Sequence, residues 1–159
     1  MATGTIKWFA QGLLDLGNKV HNLSSDTLML GIVTNVTPPT VDTVGPHWGG
    51  TGTTNFLSTQ VAVGGTSYTG PKTLSSVTWT LIGSAPKVPT LRATDVTISQ
   101  DASGFTNGAY AIIYNNTDAN KRALAWVELS SAGTLSLVDD LVKIDWGGSG
   151  TDILTITQA

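Results

Sequence analysis

The feature that most constrains the fold is a series of short apolar segments whose side chains alternate with a period of two. Nine such segments, at 27–34, 59–63, 74–82, 91–99, 109–114, 123–129, 134–137, 141–146 and 152–157, are separated by turn-forming residues. A period of two places successive side chains on opposite faces of a strand. Many short strands in series indicate an antiparallel sandwich or barrel, so we predict a mainly β fold: a β-sandwich or jelly-roll-like barrel of about 8–9 strands.

Two segments show the alternation most clearly, SVTWTL and LVKIDW. In each, large apolar side chains occupy one face, while threonines or charged residues occupy the other. An apolar face of this kind packs inward. The core-facing residues that we predict there are Val77, Trp79, Leu81, Val142, Ile144 and Trp146.

The stretch NGAYAIIYNNTDANKRALAWVELSS predicts a hairpin whose two strands are apolar on both faces. On the first strand the faces are Tyr110, Ile112 and Tyr114 against Ala109, Ala111 and Ile113; on the second they are Leu124 and Trp126 against Ala123, Ala125 and Val127. Strands of this type are covered on both sides. We therefore expect the domain's core on one face and a second layer or a partner on the other, with Trp126 in the core.

The tip of this hairpin, NNTDAN, is the most polar cluster in the chain. Its side-chain oxygens suit calcium, but it contains a single carboxylate and no downstream acid at the spacing of a calcium loop. Asn and Asp are also the residues that tolerate turn backbones. Turn formation is the favoured interpretation.

The first residues carry a helical pattern. Apolar residues at Ile6, Phe9, Leu13, Leu14, Leu16 and Val20 form one stripe at helical spacing. Gly12 and Gly17 weaken the helix. We predict a short N-terminal helix over about 6–20.

A long connection without regular period follows the first strand, at about 35–58. It contains three prolines, Pro38, Pro39 and Pro46, and four glycines. Structureless connections of this length are uncommon inside compact domains and are functional or disordered where they occur. One interpretation is a mobile loop; the other is an arm lying across a neighbouring subunit, with Trp48 and Phe56 as apolar anchors.

Composition narrows the class of protein. The 159 residues suit a single domain, 1–159, and the absence of cysteine excludes disulfides and thiolate sites. Only 12% of residues are charged, against about 25% in average domains. A surface poor in charge costs little to desolvate, which is typical of surfaces that bind other proteins. Ordinary threonine-lined strands would give the same composition.

The charge pattern argues against several partners. The net charge is −3 and the eight basic residues are scattered, so we expect no nucleic-acid binding. No apolar run reaches the length of a membrane span, and the first residues lack the apolar core of a signal peptide. We expect synthesis in a cytoplasm and no membrane partner.

The sequence predicts no catalytic, cofactor-binding or metal-binding residues. His21 and His47 are the only histidines, and no Gly-x-Ser-x-Gly motif accompanies them. Glu128 is the only glutamate, and Asp139 and Asp140 are adjacent, which would point them to opposite faces of a strand. The glycine-rich segments lack the Lys-Ser/Thr of a phosphate loop. We expect a protein that is not an enzyme.

Five segments follow one another in the order LLDLGNKVHNLSSDTLMLGIVTN, SYTGPKTL, RATDVTI, GAYAIIYNNTDANKRALAWVEL and GTLSLVDDLVKIDWGGSGTDILTI. Taken in this order, they resemble a family of small tailed-bacteriophage proteins described as head decoration, cement or minor structural proteins. The resemblance covers most of the chain outside the long connection. It implies a structural protein without catalytic residues.

The resemblance implies a decoration protein that binds the major capsid protein and itself, as a dimer or trimer, on the outer head surface after synthesis in the host bacterial cytoplasm. We predict that it makes contact through the N-terminal segment and the long connection, with the contact residues Pro38, Pro39, Pro46, His47, Trp48 and Phe56. A tail or fibre component of the same virion fits the same composition. A carbohydrate-binding sandwich is a third possibility, since Trp48, Tyr68, Tyr110, Tyr114 and Trp126 could stack on sugar rings.

Overall fold

The computed structural model describes residues 6–83, 87–130, 133–146 and 152–155. This part contains one α-helix, one short 3-10 helix at Phe56–Thr59 and twelve strands. The helix α1 is Ala10–Gly17; the strands are β1 Ile6–Trp8, β2 Leu28–Val33, β3 Pro46–His47, β4 Thr54–Asn55, β5 Lys72–Thr73, β6 Thr78–Ile82, β7 Val88–Arg92, β8 Val96–Ile98, β9 Tyr110–Asn115, β10 Ala123–Glu128, β11 Val142–Ile144 and β12 Asp152–Thr155. Neither described helix is long and apolar enough to cross a membrane.

A five-stranded antiparallel sheet, in the order β1-β10-β9-β2-β5, forms the centre of the molecule. Its three inner strands read LMLGIV, YAIIYN and ALAWVE, and almost every residue in them is buried. Near-continuous apolar strands of this kind are stable only when both faces of the sheet are covered. The hairpin prediction is confirmed, and the cover on both faces comes from this chain itself.

The main core lies on one face of the central sheet. It is closed on the other side by the three-stranded sheet β12-β7-β6 and the pair β11-β8. Leu30 of β2, Ile113 of β9, Leu91 of β7, Ile98 of β8 and Ile144 of β11 meet in it. The predicted sandwich is confirmed, with more and shorter strands than expected, and the described strands do not close into a barrel.

A second layer, formed by Phe9 and residues 34–60, covers the opposite face of the central sheet. The start of α1 adjoins this layer through the bond from the Ala10 amide to the Val41 carbonyl, while Leu16 of α1 packs against the main core. Phe9, Trp48 and Phe56 from this layer pack against Ile112 and Trp126 of the sheet. The buried Trp126 confirms its assignment to a core. The long connection is thus a structural layer of the domain.

The N-terminal helix prediction was wrong over its first and last residues. Ile6–Trp8 is a strand, with Ile6 opposite Val127 and Trp8 opposite Ala125. This pairing satisfies the outer edge of β10, which outweighs the helical spacing of so short a segment. The helix begins only after Phe9, and Leu13 and Leu14 face solvent.

Several strand predictions need correction. The segment 59–63 ends a 3-10 helix and makes a single bridge from Gln60; 74–82 is a strand only at Thr78–Ile82; and 91–99 is divided between β7 and β8. The segment 134–137 contributes only a bridge at Leu135. Residues 156 and 157 lie outside the described residues.

Two predictions of inward-facing residues also need correction. Leu81 is 59% exposed because β6 lies at the edge of its sheet, whereas Val142, Ile144 and Trp146 are buried as predicted. In β10 a bulge between Ala123 and Ala125 changes the alternation. Leu124 therefore packs in the main core and Ala123 beneath the second layer.

Candidate functional site

The inner side of the second layer is a group of stacked aromatic rings. The Trp48 indole lies parallel to the Tyr114 ring, with 5.2 Å between centroids and an interplanar angle of 4°. Phe9 lies 4.7 Å from Trp126 and 5.8 Å from Phe56. Such ring pairs stabilise by about 0.5–1.5 kcal/mol beyond the apolar area that they bury.

Gly31 explains how Trp48 approaches the sheet so closely. A Cβ at Gly31 would lie 2.5 Å from Cζ2 of the Trp48 ring, far inside the contact distance of about 3.5–4.0 Å. The glycine therefore leaves the space into which the indole fits. The Trp48 indole and the space above Gly31 together fix the position of the second layer on the sheet.

Hydrogen bonds between distant segments hold the irregular backbone of this layer. The Trp48 amide donates to the Lys121 carbonyl at 2.9 Å, which ties the layer to the hairpin tip. The Asn55 Oδ1 accepts from the Gly49 and Leu57 amides at 2.9 and 3.1 Å. These bonds fix the backbone of the layer at Trp48 and around Asn55 within the domain.

Five of the six predicted contact residues are buried within this chain. Pro38 is exposed, whereas Pro39, Pro46, His47, Trp48 and Phe56 are buried. Trp48 and Phe56 anchor the connection to its own sheet and are not available to a partner in this conformation. The expected arm across a neighbouring subunit is therefore corrected to an intramolecular layer.

The outer side of the second layer and the exposed side of the adjoining α1 present a different set of side chains, which we call the neutral face. It contains six large apolar residues that are between 43% and 78% exposed: Leu13, Leu14, Val36, Val41, Val44 and Leu57. From Thr27 to Pro71 the only charged residue is Asp42. The nearly charge-free run is visible in the sequence, whereas the exposure of Leu13 and Leu14 beside it is shown only by the structure.

A buried polar cluster lies beneath the hairpin tip. The Asn115 side chain is fully buried; its Oδ1 accepts from the Thr117 and Asp118 amides at 2.9 and 3.1 Å. Its Nδ2 faces His21 Nδ1 at 3.1 Å and donates to Asp26 Oδ2 at 2.6 Å. The amide thus holds the tip as a turn, the use predicted for the NNTDAN segment.

The same geometry assigns the tautomer of His21. Because Asn115 presents an N–H to Nδ1, the neutral imidazole carries its hydrogen on Nε2. Burial lowers the pKa of His21, and the carboxylates of Asp15, Asp118 and Asp26 only partly offset this effect. The imidazole is therefore held in its neutral form as a structural group.

Charged side chains surround this cluster. Arg122 Nε lies 3.8 Å from Asp118 and 3.9 Å from the buried Asp15, which also accepts from Gln11 at 2.8 Å. Residues from α1, the turn after it and the hairpin tip thereby meet at one point. Among the described residues, no group of three or more His, Asp or Glu side chains is arranged to hold a metal ion.

The aromatic residues considered for sugar stacking are placed differently from what that function requires. Trp48, Tyr68, Tyr114 and Trp126 are buried, and the Tyr68 hydroxyl accepts from the Ile32 amide at 2.9 Å. Tyr110 is half-buried. Four of the five rings therefore offer no open face to a sugar, and the carbohydrate-binding alternative loses the residues on which it depended.

Comparison with protein-family models, with curated proteins and with solved structures found no match to this chain.

Proposed function

We propose that this chain is a non-enzymatic structural protein of a tailed-phage virion, a head decoration protein that binds the assembled capsid through its neutral face. The observation that carries the proposal is the combination of six exposed apolar side chains on the second layer and α1 with a single exposed charge among these residues, Asp42, since Asp15 of α1 is buried. Burying such a surface against a protein releases water from apolar area and leaves few charges to desolvate.

The anchoring of the second layer supports this role. Its backbone is fixed by the Trp48 and Asn55 hydrogen bonds and by the aromatic rings beneath it. A surface that is ordered before binding loses little conformational entropy when it docks. A module that binds only assembled subunits shifts the assembly equilibrium toward the closed shell. A rigid β-scaffold with a neutral face suits this task.

The resemblance to phage decoration proteins is the reason for proposing a phage head as the binding partner. A tail or fibre position is the nearest alternative, since a neutral contact surface suits any assembled virion part. The location of binding separates them. Purified protein should co-sediment with assembled heads of the virion, and should bind neither isolated tails nor unassembled capsid subunits.

Substitutions on the neutral face test the contact surface. The double variant Leu14→Lys with Val44→Lys places two charges on the face without touching its buried side, since these residues are 56% and 67% exposed. We expect head binding to weaken about a hundredfold, as desolvating each ammonium costs on the order of 1.4 kcal/mol or more, a factor of ten.

Val63→Lys is the matched control, because Val63 is equally apolar, 57% exposed and outside the second layer. It should co-sediment with heads as the unmodified chain does. Circular dichroism and thermal midpoints establish that all variants are folded. Unchanged binding by the double variant would remove the neutral face as the contact, and binding to tails alone would replace the head with the tail.

A further inference from the structure

Strand β6 forms an open edge of the three-stranded sheet. Its sequence, TWTLI, contains no charge, proline or glycine, and it pairs only with β7 in the part of the chain that the structure describes. An uncharged edge strand of this length presents a row of free backbone donors and acceptors and is a template for another strand. Native edges that remain single are commonly protected by charge, proline or a bulge.

Pro89 determines which backbone groups of β6 point into the open edge. It lies opposite Leu81 in the antiparallel register and has no N–H to exchange, which assigns this pair to the non-hydrogen-bonded type. Pair types alternate along an antiparallel ladder, so Trp79 opposite Leu91 is of the same type. The backbone groups of Trp79 and Leu81 therefore point away from β7.

The side chains of these two residues share the face of β6 that borders the main core. Trp79 is half-buried and packs against that core, while Leu81 is 59% exposed at its margin. Thr78 and Thr80 lie on the opposite face and are exposed. Among the described residues, the edge therefore combines backbone groups that no other strand uses with an apolar side chain, Leu81, that is largely exposed.

We propose that β6 pairs antiparallel with β6 of a second copy of this chain, across a twofold axis at Thr80. In this register Trp79 faces the partner's Leu81 and Leu81 faces the partner's Trp79. Both are the residues whose backbone groups point outward, so each pair exchanges two N–H···O bonds. The partner's Trp79 covers the exposed Leu81, and the main cores of the two copies become continuous.

The occupant is a second copy because the strand is complementary to itself. The twofold register places tryptophan opposite leucine and threonine opposite threonine, which are favourable cross-strand pairs, and it places no charge opposite another. Isologous pairing also closes the edge, so that no further strand adds. This inference specifies the self-association that the resemblance implies for the proposed decoration protein, yet it requires no capsid.

Charged variants at Thr80 test the pairing. Thr80 is exposed and would lie directly opposite its own copy, so Thr80→Lys and Thr80→Glu each bring two like charges together. We expect the unmodified chain to sediment as a dimer and each variant to dimerise at least about tenfold more weakly, since like charges in contact cost several kcal/mol. An equimolar mixture of the two variants should recover the dimer.

Thr73→Lys is the matched control, since Thr73 is an exposed threonine on β5, the edge of the other large sheet. It should dimerise as the unmodified chain does. Leu81→Pro provides a second variant that removes an outward N–H without removing one used by β7. Native thermal midpoints at low protein concentration establish that each variant is folded.

Recovery of the dimer in the mixture, with neither charged variant dimeric alone, supports the β6 pairing. A monomeric unmodified chain overturns it, as does an oligomer that Thr80→Lys and Leu81→Pro leave unchanged. A variant that loses the dimer but still binds heads would show that head binding does not depend on the β6 pairing. A variant that keeps the dimer but no longer binds heads would show that the β6 pairing does not depend on head binding.

Discussion

The fit between Trp48 and Gly31 provides a quantitative test of the second layer. In Gly31→Ala the new methyl carbon would lie 2.5 Å from Cζ2 of the indole. The ring must then move off Tyr114, or the strand must shift. Overpacking of this kind costs about 1–3 kcal/mol. Removing the ring in Trp48→Ala costs more, about 3–5 kcal/mol, since a large buried side chain and its stacking are lost.

The two effects should not add. Once the indole is gone, the methyl group introduced by Gly31→Ala has no ring to meet, and replacing glycine within a strand removes some entropy cost of folding. The double variant should therefore lose about 3–5 kcal/mol, close to Trp48→Ala alone, and not the additive sum of about 4–8 kcal/mol.

Urea unfolding of the unmodified chain, the two single variants and the double variant measures this coupling directly. Equal denaturant slopes would establish that the unfolding transitions are comparable. If Gly31→Ala destabilises by the same amount with and without Trp48, the ring does not lie over Gly31. If Trp48→Ala left the free energy of unfolding nearly unchanged, the connection would have to be interpreted as a mobile loop.

Three further predictions concern the polar groups. Asn115→Ala should lower the free energy of unfolding by about 1–3 kcal/mol in urea titrations, since it strips partners from buried groups at the hairpin tip; unchanged stability would contradict the cluster geometry. Burial lowers the pKa of His21 below its usual value of 6.5. The free energy of unfolding should therefore be highest above pH 6.5 and should fall as the pH drops through the pKa of His21 in the folded state. His21→Gln should reduce this loss, and an NMR titration midpoint of His21 above 6.5 would contradict the prediction. Amide donors of Ser103, Ser67 and Thr66 lower the pKa of Asp101 from 3.8 to about 2, so its contribution should persist to pH 3.8 and disappear toward pH 2, whereas Asp101→Asn should show no such step in acid unfolding.

The central sheet was predictable because its strands carry their own signal. LMLGIV, YAIIY and ALAWV are apolar on both faces, and this pattern requires cover on both sides wherever the cover comes from. The sequence left open whether a partner or a second layer supplies it. Only the three-dimensional arrangement assigns that role to Phe9 and the long connection.

The second layer was not predictable because its order depends on distant contacts. The Trp48 amide bonds to a carbonyl at Lys121, and the indole needs the missing side chain of Gly31. Neither relation has a local pattern. The prolines and glycines of the connection predict an irregular loop. In the structure, their backbone is irregular but is held in place by these two contacts. The same limit applies to Ile6–Trp8, whose strand conformation depends on pairing with β10.

The polar cluster shows a related limit. The cluster of Asn and Asp residues at the hairpin tip was read correctly as a turn, but the reason for Asn115 in particular was hidden. Its amide bonds to His21, which is 94 residues away in the chain. In the sequence, Asn115 and His21 are two unrelated polar residues, the first in a predicted turn and the second after a predicted helix.

Electron cryomicroscopy of the virion, at a resolution that places this chain, would test the proposal that the neutral face binds an assembled phage head. We expect density for the sandwich on the outer head surface, with Leu14, Val36 and Val44 facing the shell. Density for the chain on the tail would contradict the claim, as would a head-bound chain whose second layer faces solvent.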